Sequence, residues 1–433
     1  MLRYHTERVH VRPVLVDLTD LVSVRVLADR LVGRGQHEGG EGRIPKLDVV
    51  IWNAGIGGWL GINTLQGMWS MATDLVEAVT RPKFKIGSVG RVCKTLRERY
   101  PDAYNNSSRT QRTRTDHSGQ EKTPVDSSLE EHEEPEPPLG EIFTANVFGH
   151  YMLGHYLAPL ISRGCAPHGG RIVWVSSVEA DLGRFDGNVD EDIMGLKSNV
   201  VYEDMKRLVD ILALTADLPA TRKLVDTYLS PSSTSSLPPS ESQQPPTTTA
   251  TTTTTAEESD HRTHNIYLTH PGICMTEVLP QPIWVKITTF FVLWFARLFG
   301  SIWHPIQPYK GAVSAVWVAL ADSVSLSNFE SSETGGEKGG LRGTKGKSKY
   351  GSATDWRGRE RVELTEVDGW GYDGVVAAPG VKSVVRPGRW REARDLTRER
   401  REEFEEVGRK CWRRMEELRG EWEGRVDRVM KGM

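Results

Sequence analysis

The sequence predicts an α/β fold with a doubly wound, parallel β-sheet. Short β-branched runs recur along the chain, and segments with a helical spacing of apolar residues separate them. The run from Leu47 to Trp52 (LDVVIW) is nearly all apolar, which is typical of a parallel strand that is buried on both faces. Strands that alternate with helices in this way favour a single sheet with helices on both sides.

Local patterns give the predicted elements. Four segments are predicted to be strands: 11–16, 47–52, 171–176 and 265–269. Three segments are predicted to be helices: 21–32, 141–161 and 201–218. Asp20 is a suitable N-cap for the first helix, and residues 33–46 form a Gly-rich loop. Pro13 is unfavourable in a central strand, because proline cannot donate a hydrogen bond to a neighbouring strand.

Three polar segments interrupt this pattern. Residues 101–138 and 230–263 are rich in Ser, Pro, Thr or charged residues, and residues 329–351 are rich in Gly, Lys and Ser. Such compositions bury too little apolar surface to offset the entropy of ordering, so all three are predicted to be disordered. The predicted organisation is one α/β domain at 1–328 with two insertions, a linker at 329–351 and an extension at 352–433.

The extension is predicted to contain a long amphipathic helix. Residues 389–430 are dense in Arg and Glu, and apolar residues recur three and four apart: Phe404, Val407, Cys411, Met415, Leu418, Trp422 and Val426. This narrow apolar stripe has two interpretations. The helix packs along the domain with its charged face in solvent, or it binds a partner protein.

Composition excludes several classes of protein. The 433 residues include 55 basic and 58 acidic ones, so no basic excess points to nucleic acid. The four cysteines and twelve histidines show no metal-ligand spacing, and neither a metal site nor a disulfide framework is predicted. This use of cysteine fits a reducing compartment. The first residues, MLRYHTERVHVRP, lack the apolar core of a secretory signal.

Tyr202 and Lys206 are the strongest candidates for chemistry. Residues four apart lie on one face of a helix, so the phenol and the ammonium are expected to act together. A nearby cation lowers the pKa of a phenol, which prepares it to exchange a proton near neutral pH. An ordered set of further groups supports this role: Asn53-Ala54-Gly55, Asn146, Ser176-Ser177 and Pro271-Gly272.

This ordered set resembles the short-chain dehydrogenase/reductase family over about residues 11–320. The segment 172–214, the apolar stretch after Pro271-Gly272 and the charged tail are similar to fungal members that reduce 3-ketosteroids in ergosterol synthesis. The resemblance implies a Rossmann-like sheet, NADPH as cofactor and reduction of a sterol 3-ketone during C-4 demethylation. Reduction of another lipid ketone or a retinoid is an alternative, as is a non-catalytic scaffold in a membrane-bound sterol complex.

The resemblance also implies a role for each candidate residue. Tyr202 would donate a proton to the carbonyl oxygen, and Ser177 would hydrogen-bond the same oxygen. Ser177 is preferred to Ser176, because the family uses the second serine of the pair. Lys206 would lower the pKa of Tyr202 and hydrogen-bond the nicotinamide ribose. Asn146 would bind a water that links Lys206 to solvent.

Cofactor contacts are implied in the same way, at these positions: Asp17 and Leu18 at the adenine ring, Asn53, Ala54 and Gly55 beside the nicotinamide, Pro271 and Gly272 around its pocket, and Thr276 at the carboxamide or phosphate. The family's Gly-rich pyrophosphate turn is not found. Gly55 and Gly57 match the first two glycines of the dinucleotide-binding motif G-x-G-x-x-G, but Leu60 stands where the third glycine belongs. The chain is therefore expected to begin at the family's third strand, and a truncated start is favoured over a product that binds the cofactor poorly.

Residues 283–303 (IWVKITTFFVLWFARLFGSIW) are strongly apolar. Five aromatic residues stand close together there: Trp284, Phe290, Phe291, Trp294 and Phe295. The stretch is long enough to span a bilayer, but Lys286 and Arg297 would each cost roughly 2.5–3.5 kcal/mol near its centre. We expect a lid over an apolar substrate that also docks on a membrane surface. A core or dimer helix and a spanning helix are the alternatives.

These features predict a peripheral protein on the cytosolic face of the endoplasmic reticulum or on lipid droplets. Its predicted partners are the sterol ketone, the membrane surface and, through the C-terminal helix, other enzymes of the sterol pathway.

Overall fold

The computed structural model describes most of the chain. The described residues are 10–34, 42–104, 135–165, 169–185, 189–230, 264–275, 283–333, 346–378 and 385–433. Most of the predicted insertions at 101–138 and 230–263 lie outside these ranges, as does Thr276.

A five-stranded sheet lies at the centre of the described chain. Its strands in spatial order are β1 (Val49–Trp52), β4 (Arg171–Val175), β5 (Ile266–His270), β6 (Lys349–Thr354) and β7 (Glu360–Thr365). The first four are parallel, and β7 is antiparallel to β6. A separate hairpin pairs β2 (Trp59–Ile62) with β3 (Lys85–Gly87). A largely parallel sheet with flanking helices confirms the predicted Rossmann-like α/β class.

Fourteen α-helices with defined bounds accompany these strands in the described residues: α1 (Leu21–Val32), α2 (Thr64–Thr73), α3 (Leu75–Thr80), α4 (Leu96–Arg99), α5 (Glu141–Phe143), α6 (Gly149–Ile161), α7 (Val189–Asp192), α8 (Val201–Thr215), α9 (Pro219–Tyr228), α10 (Ile283–Leu298), α11 (Pro308–Gly311), α12 (Val313–Leu320), α13 (Ser323–Glu333) and α14 (Arg398–Gly432). A π-helical turn, Thr144–Phe148, joins α5 to α6, and a 3-10 helix, Val178–Leu182, follows β4. The three predicted helices are confirmed. Asp20 caps α1 by accepting hydrogen bonds from the backbone of Val22 and Ser23.

The predicted strand at 11–16 is not formed. It has no strand partner among the described residues, and its side chains are largely exposed, with Leu15 at 98%. A strand needs hydrogen bonds from a neighbouring strand, and Pro13 cannot donate one. Strand β1 is confirmed, but it is an edge strand whose described partner is β4 alone. Ile51 in β1 is 40% exposed, so the prediction that both faces of this strand are buried is wrong.

The predicted linker and extension do not stand apart from the sheet. Helix α13 continues to Glu333, and β6 begins at Lys349, so the boundary predicted at 351/352 falls inside a strand. Strand β6 is hydrogen-bonded to β5, with Lys349 opposite Leu268. The polar composition of this segment concealed the strand, because its polar side chains are buried by partners from other parts of the chain.

Helix α14 packs its apolar stripe into the main core. The stripe is buried along most of its length, at Phe404, Cys411, Met415, Leu418, Trp422 and Val426. It lies against α8 and α9, and the indole N–H of Trp412 donates to the carbonyl oxygen of Leu212 at 3.1 Å. This arrangement favours a helix packed along the domain over a partner-binding helix, because the stripe is already covered.

We predict that Leu418→Ala lowers the free energy of unfolding by about 2–5 kcal/mol, because it leaves a cavity in the core. Urea denaturation followed by far-ultraviolet circular dichroism measures the change. Glu417→Ala is the control: its carboxylate is half exposed and forms surface ion pairs with Arg413 and Arg414, so we expect less than about 1 kcal/mol. Equal effects of the two substitutions would show that α14 is not part of the core.

Candidate active site

Tyr202 and Lys206 lie on the face of α8 that packs against the end of β4. Lys206 is buried, and its Nζ donates a hydrogen bond to the carbonyl oxygen of Val175 at 2.8 Å. The same Nζ lies 5.7 Å from the centroid of the Tyr202 ring. The two side chains therefore share one face of the helix, as their spacing predicts, and they meet at the carboxyl edge of the sheet.

Ser177 is the serine that meets Tyr202. Its side chain lies near the Tyr202 hydroxyl and lowers the pKa of that group, and its Oγ accepts a hydrogen bond from the backbone N–H of Glu179 at 3.1 Å. Ser176 has different partners: its Oγ donates to the Asp210 carboxylate and, at 3.3 Å, to the carbonyl oxygen of Lys206. Ser177, Tyr202 and Lys206 thus come together, while Ser176 ties α8 to the end of the strand.

The surroundings of Tyr202 raise the pKa of its hydroxyl, so the expected lowering by Lys206 is wrong for this structure. Burial is the largest cause, and the carboxylates of Glu179 and Glu203 add to it, while the nearby Ser177 side chain opposes it. A phenolate at this position would be desolvated and close to negative charge. Tyr202 therefore stays protonated at neutral pH, which is the form that a proton donor requires.

Burial also shifts the bases near Tyr202. It lowers the pKa of Lys206 to about 8, an effect that Asp210 opposes and Lys349 strengthens. His150 is close to Lys206, and burial together with the Lys206 charge lowers the pKa of His150 to about 3. At neutral pH the imidazole is therefore uncharged, while Lys206 is still mainly protonated.

Asn146 sits in the π-helical turn between α5 and α6. Its Nδ2 donates to the carbonyl oxygens of Ile56 at 2.9 Å and Ile142 at 2.8 Å, which ties the loop after β1 to this helix. Its Oδ1 is buried and receives no hydrogen bond from the described residues. A buried oxygen without a donor is costly, so it is a ready acceptor for a water or a ligand. Gly55 packs so closely that a Cβ would overlap this oxygen.

The remaining candidates for cofactor contacts lie after two different strands, β1 and β5. Asn53 and Ala54 are exposed just beyond β1, and Pro271 and Gly272 follow β5 at the same edge of the sheet. Gly272 has a φ of 66°, and the backbone oxygens that surround it leave no room for a Cβ, so this turn requires glycine. The position of Thr276 lies outside the described residues.

Asp17 and Leu18 lie in the turn just before α1, apart from this cluster. The Asp17 carboxylate accepts hydrogen bonds from Thr19 and pairs with Arg99 at 3.2 Å. Burial would raise the pKa of Asp17, but these hydrogen bonds hold it below its usual value. No described contact joins either residue to Tyr202, and their assignment to the adenine ring stays a prediction.

Sequence patterns missed a charged cluster beside Tyr202. Lys85 in β3 forms ion pairs with Glu179 and, at 2.9 Å, with Glu203. Its ammonium lies 4.0 Å from the ring centroid of Trp59, and that ring meets Tyr202 edge-on at 4.9 Å. These residues belong to separate segments of the chain, so no local spacing could reveal them. Burial raises the pKa of Glu179, while the Lys85 charge opposes this shift.

A cleft of about 460 Å³ opens beside this cluster. Its walls include both apolar and charged side chains: Trp59, Lys85, Leu182, Val200, Glu203 and Trp390. The volume suits a small molecule. None of the described residues of α10 lines this cleft, so the structure gives no support to a lid formed by 283–303. Within the described ranges, no group of three or more His, Cys, Asp or Glu side chains is placed to hold a metal ion.

The chain matches no family model and no solved structure. It is 39% identical over 415 residues to the 3-keto-steroid reductase of Aspergillus fumigatus, an alignment that covers 95% of this chain and 77% of that protein. The chain belongs to the 3-keto-steroid reductase family. This chain is also 34% identical over 437 residues to the 3-keto-steroid reductase of Gibberella zeae, and the alignment covers 96% of this chain and 77% of that protein. The Saccharomyces cerevisiae 3-keto-steroid reductase is 30% identical over 243 residues, 55% of this chain and 51% of that protein.

We predict that Lys85→Met lowers the free energy of unfolding by about 3–5 kcal/mol, because it leaves the Glu179 and Glu203 carboxylates buried without their cation. Chemical denaturation at neutral pH measures this loss. Lys83→Met is the matched control, since Lys83 is half exposed and pairs only with the exposed Glu392 among the described residues. The control should change stability by less than about 1 kcal/mol. A Lys85 variant as stable as the control would mean that the cluster does not depend on this charge.

Proposed function

We propose that this reductase converts the 3-ketone of a sterol to the 3-hydroxyl in ergosterol synthesis, with NADPH as the hydride donor. The proposal depends on one observation. Ser177, Tyr202 and Lys206 meet at the carboxyl edge of the sheet, in a chain whose relatives are named 3-keto-steroid reductases. The sterol comes from those names, since a cleft with both apolar and charged walls does not by itself select one.

The residues of the site supply what a ketone needs apart from hydride. NADPH, when bound, supplies a hydride to the carbonyl carbon. Tyr202 gives its proton to the carbonyl oxygen, and its raised pKa keeps that proton in place until negative charge develops on the oxygen. Ser177 donates a hydrogen bond to the same oxygen and so stabilises the developing charge. The product is a neutral alcohol, and Tyr202 then takes up a proton from solvent.

The residues on the nicotinamide side fit this cofactor. Lys206 would hydrogen-bond the ribose, and the Oδ1 of Asn146 offers a buried acceptor that the described residues leave without a donor. Gly55 keeps the main chain close to that oxygen. The choice of NADPH over NADH rests on the family resemblance. A pyrophosphate normally binds at a Gly-rich turn that leads into a helix, and the described part of the chain forms no such turn.

We predict that Tyr202→Phe reduces kcat for sterol ketone reduction by about 10²–10⁴-fold, because the proton donor is lost. The measurement is NADPH oxidation with a 3-keto sterol in detergent, with the product identified by mass spectrometry. Tyr228→Phe is the control: this tyrosine also lies in a helix and is buried, and its hydroxyl has no hydrogen-bond partner among the described residues.

The control should retain turnover, and both variants should keep the circular dichroism spectrum of the wild type. Normal turnover by the Tyr202 variant would contradict the mechanism. Absence of turnover in the wild type with NADPH and the sterol ketone would contradict the proposed function itself.

We further propose that this reductase docks on a membrane surface through α10, at the cytosolic face of the endoplasmic reticulum or on lipid droplets. One side of α10 and the residue after it expose large apolar side chains: Ile287, Phe290, Phe291, Trp294, Phe295, Leu298 and Phe299. Such a concentration on one helix is typical of an interfacial surface. The side chain of Trp284 lies outside the described part of the helix.

Arg297 does not oppose this docking. Its guanidinium turns toward the protein, where it donates to the carbonyl oxygens of His304 at 2.6 Å and Pro305 at 2.8 Å. The charge that sequence analysis counted inside the apolar stretch is therefore kept away from the exposed aromatic side chains. Helix α10 has 16 residues, and no helix in the described part of the chain is long and apolar enough to cross a bilayer.

We predict that the combined substitution Phe291→Ser, Trp294→Ser and Phe295→Ser weakens binding to phosphatidylcholine vesicles by at least roughly tenfold. Each substitution removes apolar side-chain area that the membrane would otherwise bury. Cosedimentation with vesicles measures the binding. Trp356→Ser removes an exposed aromatic residue from the β6–β7 turn and should leave binding unchanged. Equal binding by the triple variant and the wild type would exclude α10 as the docking surface.

A further inference from the structure

A buried ion pair lies directly behind the candidate catalytic residues. The Nζ of Lys349 in β6 is 2.7 Å from the Oδ2 of Asp210 in α8, and the two side chains are 1% and 0% exposed. Neither residue lines the cleft. Buried ion pairs seldom add stability over apolar residues of the same volume, so stability alone does not explain this pair.

Each member of the pair holds one part of the site. Lys349 donates a second hydrogen bond, 2.8 Å long, to the main-chain carbonyl oxygen of Ser177. Asp210 accepts a hydrogen bond from Ser176, whose hydroxyl also donates to the carbonyl oxygen of Lys206. Asp210 comes one helical turn after Lys206 and therefore lies on the same side of α8. The pair thus joins β6 both to α8 and to the residues that follow β4.

We propose that the Asp210–Lys349 ion pair positions Ser177 and Lys206 for ketone reduction, an inference that rests on the function proposed above. Lys349 fixes the main chain of Ser177, and with it the direction of the hydroxyl that meets Tyr202. Asp210 fixes α8 against the end of β4. Neither residue touches the substrate, and both act through the groups that do.

The pair also sets the charge around Lys206. Asp210 raises the pKa of Lys206, and Lys349 lowers it. Among the described residues, His150 and Tyr202 also lie near Lys206, and both are uncharged at neutral pH because burial lowers the first pKa and raises the second. Two more groups lie beside the pair itself: Arg207 near Asp210, and His270, whose pKa is lowered by burial, near Lys349.

Two substitutions distinguish this role from a general structural one. Asp210→Asn removes a negative charge at constant shape, so the pKa of Lys206 should fall below its value of about 8. Lys349→Met removes a positive charge, so the same pKa should rise. Carbon-13 NMR of lysine labelled at Cε measures both shifts, with the Lys206 signal assigned by its loss in Lys206→Arg. If the substitutions only loosened the packing, water would enter in both variants, and the pKa of Lys206 would shift in the same direction in both.

Kinetics provide the second measurement. Both variants should lose about 10- to 100-fold in kcat with a smaller change in KM, because displaced catalytic groups weaken the transition state more than substrate binding. Lys347 and Asp217 form a matched control pair, 2.9 Å apart, between the residues before β6 and those after α8. Lys347→Met and Asp217→Asn should leave both kcat and the pKa of Lys206 unchanged.

A double variant keeps the proposal testable if the single variants unfold. Asp210→Leu with Lys349→Met replaces the pair by apolar side chains and should recover stability. A stable double variant with kcat still reduced supports the proposal. Recovery of wild-type kcat, or Lys206 shifts of the same sign in the two single variants, overturns it. A wild type without sterol ketone reduction contradicts only the proposed function, because the NMR measurement needs no turnover.

Discussion

The burial of charge where α8 meets the end of β4 is the constraint on which the site depends. A buried ammonium needs an acceptor, and the carbonyl oxygen of Val175 provides one for Lys206 at 2.8 Å. Val175 is the last residue of β4, so this hydrogen bond fixes where the helix crosses the sheet. Tyr202, one turn earlier on the same face, is thereby brought to Ser177 just beyond the strand.

The same desolvation determines the protonation states of the site. It raises the pKa of Tyr202 and lowers the pKa of Lys206 to about 8, so each shift is toward the uncharged form, although Lys206 is still mainly protonated at neutral pH. Spacing alone suggested that the lysine would acidify the tyrosine. Burial and the carboxylates of Glu179 and Glu203 prevail, because Lys206 directs its ammonium to a backbone oxygen and not to the phenol. The result is a phenol that retains its proton until an acceptor with developing negative charge arrives.

Distant parts of the chain complete this arrangement. Lys85 from the β2–β3 hairpin neutralises carboxylates beside Tyr202, Lys349 from β6 holds Ser177, and Trp390 from the C-terminal region forms a wall of the cleft. Helix α14 covers α8 from behind. The residues assigned to a linker and an extension are thus part of the domain that carries the candidate site.

Local pattern in the sequence was sufficient for the elements that carry the motif. Apolar runs predicted β1, β4 and β5, and helical spacing placed Tyr202 and Lys206 on one face. Both patterns depend only on residues that are close together in the sequence. Asp210 extends the same spacing by one more turn and was available as a signal. Tertiary structure alone revealed β6, Lys85 and Lys349, and it set the direction of the Tyr202 pKa shift. Those features arise from burial among segments far apart in sequence, and the composition of a single segment carries no record of the partners that will cover it.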